Sequence, residues 1–348
     1  MPVNEILRDF GFDETSASVS SFGSGLINNT WMVANGSNNY ILQRINHNVF
    51  KEPDAIASNI DAIGNYLATV YPDYKFTMPV TSLSGSPMLY KPEEGYFRMF
   101  LFVEGSRSID VVETPDQAYE AAAQFGKFTN LLNGFNVNKL KTTIPDFHNL
   151  SLRYNQFMQA LKKGNSDRIK ETAFLAKNLV SYAGIVSVYE EIINSSDFKL
   201  RVTHHDTKIS NVLFDENDKG ICVIDLDTVM PGYFISDVGD MMRTYLSPVS
   251  EEEKDFSKIE IRDNFYMAVV HGYYDEMKDV LTEAEQKHFF YAGTFIIYMQ
   301  ALRFLTDYLN NDIYYGSKYP GQNLVRAGNQ TVLLQRLMEK KEILENIL

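Results

Sequence analysis

The spacing of apolar residues changes about a third of the way along the chain. Up to residue 104 they come in short runs separated by turn-forming residues, and after residue 115 they recur at three- and four-residue intervals. Residues 19–33 and 40–45 read as strands around Asn35-Gly36-Ser37-Asn38, a strong hairpin signal. Residues 78–83 and 88–90 flank Ser84-Gly85-Ser86 as a second expected hairpin, and 96–103 reads as a buried strand ending on Glu104-Gly105. Two helices fall within this part: a short one over 3–10 and a longer one over 53–71, with Pro53 near its start. Downstream the pattern predicts helices over 115–133, 150–162, 167–194, 251–278, 282–311 and 322–347. Thr114-Pro115-Asp116 and Thr282-Glu283 are start signals for two of them. The expected fold class is therefore α+β, with a small strand-rich part over 1–103 that has one main helix. A larger, mostly helical part covers 104–348.

The densest cluster of polar residues interrupts the helical part, between Val202 and Arg243. His204-x-Asp206 is followed five residues later by Asn211, then by an apolar run, a turn-like stretch over 215–220 and a second apolar run ending on Asp225-Leu226-Asp227. A carboxylate, a carboxamide five positions on and a carboxylate closing the next strand supply what phosphoryl transfer needs. Asp206 would orient the acceptor hydroxyl, and Lys208 would offset charge on the transferring group. Asn211 and Asp225 would hold a metal ion, with Asp227 as a further ligand. A hairpin between Asn211 and Asp225 can bring these groups to one rim. His204 is expected to fix the loop through backbone hydrogen bonds. Asp237 and Asp240 read as helix-capping carboxylates, with Asp237 alternatively an anchor of the loop from below and Asp240 structural.

Other positions gain meaning from that cluster. Gly23-Ser24-Gly25 in a turn lets backbone N–H groups approach phosphates. The strand over 40–45 carries no lysine; Gln43 and Arg44 are the candidates to meet nucleotide, and they point to opposite faces. The 53–71 helix lacks a glutamate in its body, which matches the missing lysine. Leu101 and Val103 close the strand whose backbone would meet an adenine edge. Near the C-terminus Arg303 and Asp307 lie one helical turn apart, in a stretch rich in aromatics that includes Tyr315. That face is either an ion pair over core aromatics or a polyol pocket.

Composition excludes several classes. The net charge of −13 argues against a nucleic-acid surface or an anionic membrane as partner. The single cysteine, Cys222, sits in an apolar run and reads as a buried hydrophobe, which fits a reducing compartment. No signal-peptide pattern or membrane-length apolar run occurs, so a cytoplasmic location is expected; the oligomeric state is left open, with a monomer favoured. His204-His205 lacks the partners of a zinc site. There is no G-x-S-x-G elbow for a hydrolase and no A-P-E segment of a protein kinase.

These pieces together resemble the aminoglycoside phosphotransferase/choline kinase superfamily, and within it the N-acetylhexosamine 1-kinases most closely. The resemblance rests on Gly23-x-Gly25-Leu-Ile-Asn-Asn-Thr30, the strand YILQRIN from Tyr40, Thr203-His-His-Asp-Thr-Lys-Ile-Ser-Asn211 and Val223-Ile-Asp-Leu-Asp-Thr-Val-Met-Pro-Gly232. Val238-Gly-Asp240 with Arg243, the stretch from Arg303 to Leu309, and Tyr319-Pro-Gly-Gln-Asn-Leu-Val-Arg326 add to it. It implies a bilobal, protein-kinase-like fold and ATP- and Mg²⁺-dependent transfer of the γ-phosphoryl to a sugar, at the anomeric hydroxyl of N-acetylhexosamine. An amino alcohol such as choline, or an aminoglycoside, is the alternative acceptor. A catalytically silent nucleotide-binding scaffold is the alternative outside enzymes. The sequence departs from the family pattern at the absent strand lysine, and at Asn28 and Asn29, which stand where a substrate-side polar group is expected.

Overall fold

The computed structural model describes residues 3–13, 17–23 and 28–348. The chain forms two compact units, each assembled from segments distant in sequence.

The first unit comprises Met1–Ser108, Gly134–Pro145 and Leu213–Pro231. Its sheet runs β1-β2-β3-β5-β4, from β1 (Ser18–Ser21), β2 (Asn29–Asn35), β3 (Asn38–Ile45), β4 (Leu89–Lys91) and β5 (Gly95–Leu101), all antiparallel. Gly36 makes the tight β2–β3 turn with a φ of 62°, where a side chain would be strained. Strand periodicity then sorts the side chains. Val33, Leu42, Phe97 and Met99 face α1 (Val3–Asp9) and bury Ile6, Leu7 and Phe10 against them. Each such side chain contributes about 1.5–3 kcal/mol by leaving water. The alternate residues, among them Gln43 and Arg98, project from the opposite face, directly paired across β3 and β5.

The long helix α2 (Pro53–Val70) holds the two later segments of the unit in place. Asn59, fully buried, donates to Lys141 O (2.8 Å) and Val229 O (3.0 Å) and accepts from Lys141 N (2.8 Å). One carboxamide thus ties residues 134–145 and 213–231 to the first hundred residues. The hairpin of β7 (Val212–Phe214) and β8 (Gly220–Val223) belongs here, with Phe214 and Arg107 exchanging two backbone hydrogen bonds of 2.9 Å. Cys222 is buried in β8, and burial pushes its thiol up to about 11.

The second unit, Ile109–Asn133, Asp146–Val212 and Gly232–Leu348, is mostly helical. It holds α3 (Pro115–Leu131), α4 (Leu150–Lys163), α5 (Ser166–Glu171), α6 (Ala173–Ser181), α7 (Gly184–Asn194) and the short strand β6 (Arg201–Thr203). Then come α8 (Phe234–Tyr245), α9 (Asp263–Met277), α10 (Glu283–Gln286), α11 (Phe289–Leu309), α12 (Gln322–Glu339) and α13 (Lys341–Leu344). Helix α11 is buried on nearly every face and is packed by α4, α8 and α12. Among the described residues no helix is long and apolar enough to cross a membrane.

Five expected elements differ, two of them only by a break: the helices expected over 282–311 and 322–347 are each two, interrupted after Gln286 and after Glu339. Residues 78–83 form no strand: Pro79 lacks an N–H, only a Pro79–Phe100 bridge forms, and Leu89–Lys91 pairs with β5 instead. The single helix expected over 167–194 is three, broken at Thr172, whose hydroxyl bonds back to Arg168 O (2.7 Å), and before Gly184. The helix expected from 251 begins only at Asp263, because Glu251 and Glu253 are engaged in side-chain contacts rather than a helical turn.

Helices α8 and α11 cross where Gly239 meets Ala292; a Cβ on Gly239 would lie 2.3 Å from Ala292 O. Backbone cannot yield as a side chain can. Gly239→Ala should therefore destabilise the fold by about 1–3 kcal/mol, read as a lower urea midpoint at unchanged m-value.

Candidate active site

The loop after β6 is built on two aspartates of α8. Asp237 Oδ2 and Oδ1 accept from the backbone N–H groups of His204 (3.0 Å) and His205 (2.7 Å). Asp240 Oδ2 accepts from Thr207 N (2.9 Å), while Tyr245 OH donates to Thr207 O and Thr207 Oγ1 to Asp237 O, both at 2.7 Å. His205 takes a left-handed φ of 66°, an uncommon backbone state that this lattice of hydrogen bonds enforces. The loop is thereby turned so that Asp206 is half-exposed while both its neighbours are buried. His204 stacks edge-on against Phe125, and His205 Nδ1 lies 3.4 Å from His148 Nδ1.

Within the loop, Lys208 Nζ sits 3.0 Å from Asp206 Oδ1. Burial raises the Asp206 pKa, but the Lys208 ammonium, with His204 and Arg243, outweighs it and holds the carboxyl below its ordinary value. Asn211 Nδ2 donates to Asp206 O (2.8 Å), which makes the amide oxygen the candidate donor to a metal. Asp240 pairs with Arg243 at 2.9 Å, Arg243 with Glu251 at 2.9 Å, and Glu251 accepts from Arg326 Nε at 3.0 Å. Asp206, Lys208, Asn211, His204 and Asp240 are thus one connected assembly in the second unit.

In the first unit Asp225 is exposed and left-handed (φ 58°) at the end of β8, entering a short 3₁₀ turn. Asp227, two residues on, is buried and forms an ion pair with Arg98, which is also buried. Its other oxygen accepts from Asn28 Nδ2 (2.8 Å), and Asn28 Oδ1 accepts from Asn46 N (3.0 Å). Asn28 is therefore part of an internal lock rather than a free substrate-side amide; Asn29 is exposed. Arg98 Nε and Nη2 donate to Gln43 Oε1 at 3.0 and 2.8 Å. Gln43 therefore shares a face with Arg98 and Asp227, whereas Arg44 lies on the opposite face, its Nε near Gly95 and the His47 side chain. Arg98 was not anticipated, although a lone arginine in the otherwise apolar run from Tyr96 to Val103 was a signal. Gly23 is exposed with a φ of 77°, and Gly25 lies outside the described residues. Leu101 ends β5 and is exposed, while Val103 is buried and its carbonyl accepts from Ser106 N and Oγ in the following turn.

Arg303, Asp307 and Tyr315 line a cavity of about 370 Å³ in the second unit, between α4 and α11. The expected Arg303–Asp307 pair does not form. Asp307 instead accepts from Tyr314 N (2.7 Å), Tyr315 N (2.9 Å) and Asn323 Nδ2 (3.1 Å), so it shapes the turn after α11 and has little left for a ligand. Tyr315 packs against Phe304, over which the Arg326 guanidinium lies at 3.8 Å. Sequence gave no sign of Glu251 and Arg326 as links, because their partners are far away in the chain.

The profile of the Phosphotransferase enzyme family matches residues 18–278. The chain belongs to this family. Solved structures agree on the fold at low identity. An aminoglycoside phosphotransferase from Alicyclobacillus acidocaldarius superposes with a TM-score of 0.62 at 13% identity, over 95% of this chain and 94% of that one. Amicoumacin kinase, in complex with AMP-PNP, Ca²⁺ and its antibiotic, gives 0.62 at 15%, over 96% and 92%. A microcompartment-associated aminopropanol kinase gives 0.62 at 16%, over 99% and 98%. In this phosphotransferase the loop assembly around Asp206 lies inside the matched region.

Burial pushes Asp237 up to about 7, despite the two backbone donors that lower it. Its folded pKa lies above the unfolded value, so its contribution is complete below about pH 4 and is lost as pH rises through about 7. Asp237→Asn removes that dependence. The stability advantage of wild type over Asp237→Asn should therefore shrink between pH 4 and pH 8 in urea titrations; a constant difference would show that Asp237 does not titrate there.

Proposed function

We propose that this phosphotransferase transfers the γ-phosphoryl of ATP, with Mg²⁺, to the anomeric hydroxyl of an N-acetylhexosamine, giving the sugar 1-phosphate. The observation that carries the kinase reading is the Asp206 carboxylate, kept ionised by Lys208 in a loop whose backbone is tied to Asp237 and Asp240. Phosphoryl transfer has a loose transition state, so position and charge do most of the catalysis. Asp206 accepts the hydrogen of the acceptor hydroxyl and receives its proton late in the transfer. Lys208 offsets charge gathering on the transferring oxygens.

The metal assignment follows donor chemistry. Among the described residues no cluster of three or more His, Cys, Asp or Glu side chains is placed to hold a metal. Mg²⁺ takes one or two protein oxygens and completes its shell with phosphates and water. Asn211 and Asp225 are the assigned ligands; the ion, when bound, neutralises phosphate charge. Asp227 pairs with Arg98 and accepts from Asn28, which favours a role in holding that face over metal ligation. Gln43 rather than Arg44 is assigned to the nucleotide side, because Gln43 shares the Asp227 face. The strand-rich part of the chain, 1–103, with Gly23, Gly25 and the Leu101 and Val103 backbone, is assigned to cover ATP, and 104–348 to carry the catalytic loop.

A sugar without positive charge is favoured over an amine by the cavity that holds Arg303 and Tyr315. Arg153, Lys163 and Arg303 line it, and its one carboxylate, Asp307, is already hydrogen-bonded by three N–H groups. A cationic acceptor would meet unscreened positive charge there.

Asp206→Asn should lower kcat by about 10²–10⁴-fold with KM for ATP little changed; full activity would end the kinase reading. In the product, phosphorus coupling to the anomeric proton is the expected NMR signature, and coupling to any other ring proton would reassign the acceptor hydroxyl.

A further inference from the structure

The cavity between α4 and α11 carries more positive charge than its own residues balance. Arg153 and Lys163 come from α4, and Arg303 from α11. Arg153 donates to Gln156 Oε1 (3.1 Å) and to the Asp146 carbonyl (2.8 Å); among the described residues Arg303 has one hydrogen bond, to Gln300 Oε1 at 3.4 Å, and it lies over the Phe147, Tyr314 and Tyr315 rings. Among the described residues neither guanidinium has a carboxylate partner. Arg153 Nε and Thr306 Oγ1 are buried with no hydrogen-bond partner. Burial first, and the nearby Arg303 charge second, depress the Arg153 guanidinium below its ordinary value, as expected of two like charges held together. Arg303 is buried, and a buried cation without a carboxylate partner is costly to keep.

The cavity also neighbours the catalytic loop. The Arg303 guanidinium lies 5.8 Å from the Phe147 ring, Phe147 stacks on His148 at 4.5 Å, and His148 meets His205, the residue before Asp206.

We infer that this cavity binds an anionic group, a carboxylate or a phosphate ester, carried by the acceptor whose hydroxyl Asp206 engages. The inference rests on the kinase reading for its acceptor and narrows the substrate class to acidic N-acetylhexosamines. The planar forks of Arg153 and Arg303 suit a two-oxygen anion, and Thr306 adds a neutral donor. The anion supplies the acceptors that Arg153 Nε and Thr306 Oγ1 lack, and it relieves the repulsion between the two arginines.

The test compares N-acetylglucosamine with derivatives carrying a carboxylate or a phosphate at C3, C4 or C6, on wild type, Arg153→Gln and Arg153→Lys. At least one acidic sugar should show a KM ten-fold or more below the neutral sugar. Arg153→Gln should collapse that ratio toward one, and Arg153→Lys should restore part of it. Equal KM values for neutral and acidic sugars on wild type would overturn the inference while leaving the kinase reading intact. So would an Arg153→Gln effect of the same size on both. Calorimetric binding of the same sugars without ATP provides a readout independent of turnover. Arg153-dependent binding of an acidic sugar supports the anion site even if no sugar is phosphorylated, and its absence overturns it. Added inorganic phosphate distinguishes a free anion from a carried one: stimulation of the neutral sugar by phosphate, with no gain from acidic sugars, would overturn the assignment to the acceptor.

Discussion

The Asp237 carboxylate, accepting from two successive backbone N–H groups, is the constraint on which the Asp206 loop depends. A loop that must point a carboxylate toward solvent cannot satisfy its own backbone, and buried N–H groups without partners are costly. Asp237 meets that need for His204 and His205, and Asp240 meets it for Thr207. His205 then holds its left-handed conformation, and Asp206 emerges in one defined direction. Two aspartates one turn apart on a single helix thus set the position of a third that lies in a loop.

Charge is distributed by the same logic. Several buried ions have a partner in another segment: Arg98 with Asp227, Arg201 with Glu285, and Arg243 with Glu251 besides Asp240 on its own helix. Such pairs register one segment against another more than they stabilise the fold, because desolvation offsets much of their attraction. The Arg243–Glu251–Arg326 chain carries that registration from the Asp206 loop to α12, where Arg326 lies over Phe304 beside Tyr315. Arg153 and Arg303, both without a carboxylate, stand out against this pattern.

What could be read from the sequence followed from local periodicity and spacing. The Asn35–Asn38 turn, α2 and the Asp206–Asn211 loop were legible because each is specified by neighbours in the chain. Met78–Leu83 was misjudged because its alternation suits a strand while Pro79 denies it a ladder. Asp227 was legible as a carboxylate in a suggestive place, but not as the partner of Arg98, which lies on a strand more than a hundred residues earlier. Asn28 and Asp307 were chosen as polar groups near a substrate; both are engaged inward, and only tertiary contacts could reveal that. The choice between Gln43 and Arg44 needed knowledge of which face α1 covers.

Asn59 has a consequence for how the chain folds during synthesis. Its carboxamide waits for Lys141 and for Val229, so the sheet made by the first hundred residues lacks part of its covering until the ribosome has passed residue 231. By then α3 through α7 have already been made, and they belong to the other unit. Neither unit can finish before the other has begun, which rules out simple N-to-C completion of one body at a time. A nascent chain halted before Val229 would expose the unfinished side of the sheet to chaperones rather than to its own tail.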